Sequence, residues 1–295
     1  MALENVKQSS SSSTKKWLIG CGIGCGAIAL IVIILIMGGF FFIRNIVQDF
    51  RNSEELMDTL VDEFGTIQEY CPSPNGAIEP ERLEAFLAVR EAMAPVREEL
   101  ERSLRFLQDS DDEGLGEEER RSVFKKITTG FGLISQIADF HKARTQALLD
   151  AGMGMGEYYY LYTVSYYSWL GKPILDGHDF QIRGDDEGYR FSDWESEESD
   201  EVRQDMTLRW LHRIILPMLH NQYEKLTESG VSGAQRQWQR ALEAEMEAME
   251  SNRYRLVWKD GLPELIVKSL EPFKQRLEAS YSPLTNGMEI ALERR

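Results

Sequence analysis

Four histidines are the first candidates for catalysis or metal binding: His141, His178, His212 and His220. None follows a glutamate at the Glu-x-x-His spacing that di-iron helix bundles use. The sequence also has no His-Glu-x-x-His motif, and no cysteine pair lies near a histidine. His212 and His220 fall within an apolar helical pattern, so we interpret them as hydrogen-bonded structural residues. We therefore expect no metal ion or other cofactor.

Candidate nucleophiles lack the neighbours that would activate them. Cys71 lies in the Pro-rich stretch CPSPNG without a nearby histidine to lower the pKa of its thiol. Ser232 lies in GVSG, which is not the Gly-x-Ser-x-Gly elbow of hydrolases. The stretch AGMGMG at 151–156 lacks the lysine of a phosphate-binding loop. The sequence thus predicts no catalytic motif, and an enzyme whose active site is assembled from separate helices stays an alternative.

One acidic stretch has part of the spacing of a calcium-binding loop. Asp109, Asp111 and Glu113 fall at the first, third and fifth positions of an EF-hand loop, between two predicted helices. The twelfth position requires a bidentate glutamate and is occupied by Arg120. We interpret the stretch as a solvated acidic turn, with a calcium-responsive module as the alternative.

Tyrosines are concentrated in the segment EYYYLYTVSYYSWLG at 157–171. On an α-helix, one stripe would contain Tyr159, Tyr162, Tyr166 and Trp169. Tyrosine combines a rigid ring with a hydroxyl group, a combination that suits binding interfaces. An aromatic stripe at helical spacing is also typical of a hydrophobic core. We favour core packing and keep a binding face as the second interpretation.

These residues belong to a chain that begins with an apolar run. The 27 residues from Trp17 to Ile43 contain no charged side chain. About 20 apolar residues suffice to cross a bilayer core of roughly 30 Å. The sequence therefore predicts a transmembrane helix at 17–43, preceded by a disordered polar tail at 1–16.

The start of this run also has the pattern of a bacterial lipoprotein cleavage box, Leu18-Ile19-Gly20-Cys21. A lipoprotein signal places its apolar region before the cysteine, whereas here the apolar residues follow it. No small-x-small cleavage site follows the run either. We therefore favour an uncleaved signal anchor in the lipid bilayer over a lipidated N-terminus.

Small residues recur every four positions at the start of the predicted span: Gly20, Gly22, Gly24 and Gly26. Pairs of glycines at this spacing allow two helix backbones to approach closely in a membrane. The glycine face favours association with a second copy or with another membrane protein. Glycine is also common in membrane helices generally, which is the alternative explanation.

The distribution of charge excludes one class of partner and indicates an orientation. Residues 1–43 hold three lysines and one glutamate, so the net charge of −16 becomes −18 for residues 44–295. Such a surface repels nucleic acid. Three lysines precede the predicted span, and Arg44 and Arg51 follow it. This bias favours a cytoplasmic N-terminus and places residues 44–295 in the periplasm or outside the cell.

The remaining sequence predicts an all-α architecture. Apolar residues at three- and four-residue steps predict a membrane-proximal helix at 44–70 that continues from the span. Residues 71–295 read as an acidic multi-helix domain, with a flexible acidic loop at 184–201 and no evident alternating strand. Together these patterns predict a single-pass membrane protein that acts as a binding, scaffold or assembly module rather than as an enzyme.

Overall fold

A computed structural model describes residues 55–111, 131–177, 181–185, 188–192, 197–228, 230, 233 and 235–291. Within these residues, no helix is both long enough and apolar enough to cross a membrane. The predicted span at 17–43 and its glycine face lie outside the described residues. The domain from Ser53 onward is a compact unit of its own.

The described chain is helical apart from one short hairpin, which confirms the predicted all-α class. The helices, in chain order, are α1 (55–64), α2 (Pro80–Ala92), α3 (Ala94–Asp111), α4 (Phe131–Asp150), α5 (Met155–Tyr162), α6 (Glu197–Glu228), α7 (Arg236–Ser251), α8 (Glu264–Leu270), α9 (Lys274–Ser280) and α10 (Asn286–Ala291). Short 3-10 turns occupy Ile67–Glu69 and Glu271–Phe273, and a π-helix, Thr163–Trp169, follows α5.

Helix α5 and the start of the π-helix form the centre of the domain. Every residue from Met153 to Tyr167 is buried. A helix that is apolar on all sides has to be covered on all sides. The 3-10 turn at Ile67–Glu69 and α2 both pack against α5, while α2 in turn contacts α4 and α9. Helices α3 and α4 pair beside this group, as do α6 and α7.

The helix ends follow local backbone chemistry. The predicted helix at 44–70 is interrupted at Gly65, whose φ of +80° suits glycine and whose N–H donates to the Val61 carbonyl at 2.8 Å. Helices α2 and α3 are divided at Met93, two residues before Pro95, because proline has no N–H to donate to the preceding turn. Leu60 of α1 is buried in the core, so this part of the predicted membrane-proximal helix packs on the domain.

The predicted acidic loop at 184–201 contains regular structure. Strands β1 (Gln181–Asp185) and β2 (Gly188–Ser192) pair antiparallel, with Ile182 opposite Phe191 and Gly184 opposite Tyr189. Helix α6 begins at Glu197, inside the same range. Aromatic and β-branched residues at alternate positions favour strand pairing even within an acidic stretch. The many acidic residues of this segment indicated a loop, so the alternation was not recognised as a strand pattern.

Gly156 allows α5 to approach the chain before α2 closely. A Cβ atom at this position would lie 2.5 Å from the Ile67 carbonyl oxygen and 2.6 Å from the Tyr70 Cβ. Because backbone atoms cannot move aside easily, we expect Gly156→Ala to lower the free energy of unfolding by about 1–3 kcal/mol. Urea unfolding of the full-length protein, followed by circular dichroism, measures this change.

Gly233→Ala is the matched control, because a Cβ at this position meets no atom within 4 Å. If Gly156→Ala and Gly233→Ala unfold at the same urea concentration as the original protein, the close approach does not contribute to stability.

Candidate functional site

The predicted tyrosine stripe lies inside the domain. Tyr159 and Tyr162 are each 1% exposed, Tyr166 is fully buried, and Trp169 is partly buried. In this conformation the three tyrosines offer no surface to a partner, which agrees with the core interpretation. The Lys274 ammonium covers the Trp169 ring at 5.9 Å from its centroid.

A buried ion pair lies at the centre of these tyrosines. The side chains of Arg90 on α2 and Glu289 on α10 are both fully buried, and Arg90 Nη1 donates to Glu289 Oε1. The same nitrogen donates to the Tyr158 hydroxyl at 2.9 Å, and that hydroxyl donates to Glu289 Oε2 at 3.0 Å. Arg90 Nη2 donates to the Ser280 carbonyl at 2.9 Å. Both ends of the pair are therefore hydrogen-bonded, as buried charges must be.

A second buried arginine binds the same segment of chain. Arg144 Nη1 on α4 donates to the Glu289 carbonyl at 3.0 Å and to the Tyr159 hydroxyl at 3.1 Å. It also lies 3.8 Å from Glu289 Oε2. The Tyr159 hydroxyl itself donates to the Glu289 carbonyl at 3.0 Å. Glu289 is thus held through both its side chain and its backbone.

The π-helix aligns two further tyrosines on one target. The hydroxyls of Tyr162 and Tyr167 both donate to Asn286 Oδ1 at 2.8 Å. Residues five apart share a face in the wide turn of a π-helix, whereas they diverge in an α-helix. The π-helix therefore brings Tyr167 into this group. An α-helical stripe would have placed Trp169 there instead. Asn286 Nδ2 donates to the carbonyls of Ile174 and Asp176 at 3.1 Å, so this amide is fully bonded.

Burial and nearby charges fix the protonation state of the tyrosines and of Arg90. Burial raises the pKa of Tyr158, Tyr162 and Tyr166, so their hydroxyls remain protonated donors. Burial alone would lower the pKa of Arg90, but Tyr158 and Glu289 outweigh it and raise that pKa well above its usual value. Arg90 therefore stays charged, and the three tyrosine hydroxyls stay protonated, across the physiological pH range.

The donors of this cluster bind one segment of the polypeptide, the part that contains Asn286 and Glu289. These donors converge on the Asn286 amide, the Glu289 carboxylate and the carbonyls of Ser280 and Glu289. A surface cavity of about 420 Å³ lies elsewhere, lined by Val96, Glu99, Gln136, Asp139, Lys142, Ala143 and Gln146. None of those residues belongs to the buried cluster. In this conformation the polar groups of the cluster contact the chain itself.

The other predicted site residues lie apart from the cluster. Asp109 and Asp111 fall in the last turn of α3, whereas Glu113 lies outside the described residues. No group of three or more potential metal ligands occurs in the described part of the chain. His212 is bonded to the Met249 carbonyl at 2.9 Å, in line with a structural role.

The charged residues of the cluster were not among the predicted site residues, although the sequence carries a signal for two of them. Arg90 lies seven residues after the buried Leu83, and Arg144 lies seven after the buried Ile137. Both arginines thus occupy apolar stripes, where a charge requires a buried partner. Nothing in the local sequence identifies Glu289 as that partner, since it is 199 residues away from Arg90.

Glu289→Ala tests the energetic importance of the ion pair. This substitution leaves two buried guanidinium groups without their shared carboxylate, so we expect a loss of about 3–5 kcal/mol in the free energy of unfolding. The control is Glu264→Ala, which removes an exposed ion pair with Lys268 and should leave stability unchanged. Equal urea midpoints for the two variants would contradict a stabilising role for the buried pair.

His141 makes the stability depend on pH. Burial and the nearby Arg144 lower its pKa well below the usual value, so the unfolded chain binds a proton that the folded chain does not. Above about pH 6.5, the usual histidine pKa, His141 is neutral in both states and does not lower the free energy of unfolding. As the pH falls toward the folded-state pKa, protonation of the unfolded chain lowers that free energy. We expect His141→Gln to flatten the loss of stability between about pH 7 and about pH 5.

Urea unfolding of both proteins at several pH values measures this difference. The carboxylates titrate in both proteins, so the difference between the two curves isolates His141. Parallel curves would contradict the assignment.

Comparisons with known protein families, with curated proteins and with solved structures found no match to this chain.

Proposed function

We propose that this chain is a single-pass membrane-anchored protein whose acidic helical domain acts by binding, as a scaffold or assembly module. The proposal is supported by the groups to which the buried polar residues are hydrogen-bonded. Arg90, Arg144 and the tyrosines of α5 donate to Asn286 and Glu289, so their chemistry is that of polypeptide recognition. Donor groups in such an arrangement orient a polypeptide rather than activate a substrate.

The anchor is supported by the uncharged run from Trp17 to Ile43. Residues 44–54 lie between this run and Glu55, the first residue that the structure describes. A fully extended chain of that length reaches at most about 40 Å, so the tether would keep the domain near the bilayer surface. The lysines before the span favour a cytoplasmic N-terminus and a domain in the periplasm or outside the cell.

The proposed partners follow from the surface chemistry of each part. The glycine face, Gly20 to Gly26, suits close packing on a second copy or on another membrane protein. The acidic domain suits a protein partner and disfavours nucleic acid, whose phosphates it would repel.

Native-membrane crosslinking of the full-length protein, combined with a topology reporter on the domain, tests anchoring and binding together. We expect the original protein to resist alkaline extraction and to form a discrete crosslinked product outside the cytoplasm. Leu30→Arg with Ile33→Arg places two charges in the span, each costing about 2.5–3.5 kcal/mol. This double variant should leave the membrane and lose the crosslinked product.

Ser10→Arg with Ser12→Arg is the matched control, because it adds the same charge to the polar tail and should remain in the membrane. If the span variant is retained as well as this control, the run is not the anchor. If the anchored protein forms no discrete crosslinked product, the binding role is contradicted.

A further inference from the structure

Large apolar side chains are exposed at few positions in the described part of the chain, and most of these positions fall on two helices. They are Val61 on α1, Val202 and Met206 on α6, and Leu265 on α8, each 38% to 44% exposed. A single exposed apolar residue needs no explanation. The charges beside these residues differ between α1 and α6, and they determine which surface each helix can contact.

The exposed side of α6 is apolar at one end and positively charged at the other. We call it the basic face: Val202, Met206, Arg209 and Arg213. Steps of four, three and four residues place these side chains on one side of the helix, and all of them are exposed. The guanidinium groups of Arg209 and Arg253 lie 6.0 Å and 5.0 Å from the centre of the Tyr254 ring. A third arginine therefore adds to the positive end of this face.

The positive charges of the basic face are not neutralised by the domain itself. Arg209 Nε donates to the Asp205 carbonyl at 3.3 Å, and within the described chain neither Arg209 nor Arg213 forms an ion pair. Arg203, on the same helix, is paired with Asp200 at 3.4 Å. Guanidinium groups that stay available in a domain of net charge −18 favour contact with carboxylates of another surface.

The exposed side of α1 has the opposite charge, and we call it the acidic face: Asp58, Val61 and Asp62. Steps of three and four residues from Asp58 place these side chains on one side of the helix, and all of them are exposed. The other side of α1 packs on the domain through the buried Leu60. The acidic face thus presents an apolar side chain beside two carboxylates.

The two faces are complementary in charge, and each carries exposed apolar side chains. A contact between them would cover Val61 with Val202 and Met206. It would also set two carboxylates against two guanidinium groups, a combination that forms short charge-assisted hydrogen bonds. Both faces are exposed within one copy, so they do not meet there. A second copy can supply the complement to each of them.

We propose that the basic face of one copy binds the acidic face of a second copy. This inference rests on the proposed binding function and names a second copy as its partner. Because each copy offers both faces, the contact forms twice when the two copies are related by a two-fold axis.

The net negative charge of the two domains does not prevent this contact. Repulsion between exposed charges is largely screened beyond about 8 Å at physiological ionic strength, whereas the two faces attract each other at contact distance. Tethering both copies to one bilayer would raise their effective concentration to the order of millimolar. A contact between two helix faces is then populated even if its affinity in solution is low.

Disulfide trapping between two differently tagged versions of the full-length protein in native membranes tests this contact. One version carries Val61→Cys and the other carries Met206→Cys, and mass spectrometry after mild oxidation identifies a bond between these two positions. We expect this bond to form. Arg209→Glu with Arg213→Glu in the Met206→Cys version should lower its yield at least tenfold, because like charges then face each other.

Reversing the acidic face as well should restore the bond. Asp58→Arg with Asp62→Arg in the Val61→Cys version recreates opposite charges across the contact. Restoration requires that these particular residues face each other, so a general effect of charge on association would not produce it.

Arg236→Glu with Arg240→Glu in the Met206→Cys version is the matched control. It makes the same change of charge at the same spacing on the exposed side of α7, where no large apolar side chain of the described chain is exposed. The yield of the bond should not change. Circular dichroism checks the folding of every variant, and Arg209→Ala with Arg213→Ala replaces the charge reversal if that variant unfolds.

The proposal would be overturned by the absence of the bond, by a yield that the change at Arg209 and Arg213 leaves unaltered, or by a reversed pair that does not recover. A protein that stays in the membrane and forms a discrete crosslinked product without this bond sinks this inference alone. Release from the membrane contradicts the anchor of the proposed function instead, so the two failures are distinguishable.

Discussion

The ion pair between Arg90 and Glu289 is the constraint on which the arrangement of the domain depends. Two fully buried charges tolerate very few positions, because each must lie beside the other and most of their remaining polar groups must find hydrogen-bond partners. Meeting that requirement places α10 against α2 and α5, across 199 residues of sequence. Arg144 adds α4 to the same point through the Glu289 carbonyl. Elements far apart in the chain are therefore joined by one carboxylate.

The tyrosines offset the cost of burying these charges in an otherwise apolar centre. Each ring contributes apolar surface to the core, while its hydroxyl reaches a polar group of another element. Tyr158 and Tyr159 reach Glu289, and Tyr162 reaches Asn286. Phenylalanine would fill the same volume but remove these hydroxyl donors, so Glu289 would keep only its arginine partners and Asn286 Oδ1 would lose the donor from Tyr162. The concentration of tyrosine in one segment thus follows from the number of polar groups that converge on α5.

Some of this architecture can be predicted from the sequence and some cannot. The all-α class and the division near Pro95 follow from local rules, because periodicity and proline act over a few residues. The hairpin at 181–192 was hidden by its acidic neighbours, and α10 is too short to leave a periodic pattern. The tyrosine stripe was ambiguous because aromatic residues in cores and in interfaces have the same helical spacing. The π-helix also places Tyr167, and not Trp169, beside the other tyrosines. The local sequence around Arg90 does not identify Glu289, 199 residues away, as its partner.

The polar character of the cluster contributes to the specificity of the fold as well as to its stability. Buried ion pairs often contribute no more stability than well-packed apolar residues of the same volume, so stability alone would not require Arg90 and Glu289. What the polar groups add is discrimination, because a shift of α10 by one residue would misplace Asn286 and Glu289 together. An apolar contact would tolerate such a shift. The buried polar cluster therefore specifies one register of α10 against α2, α4 and α5.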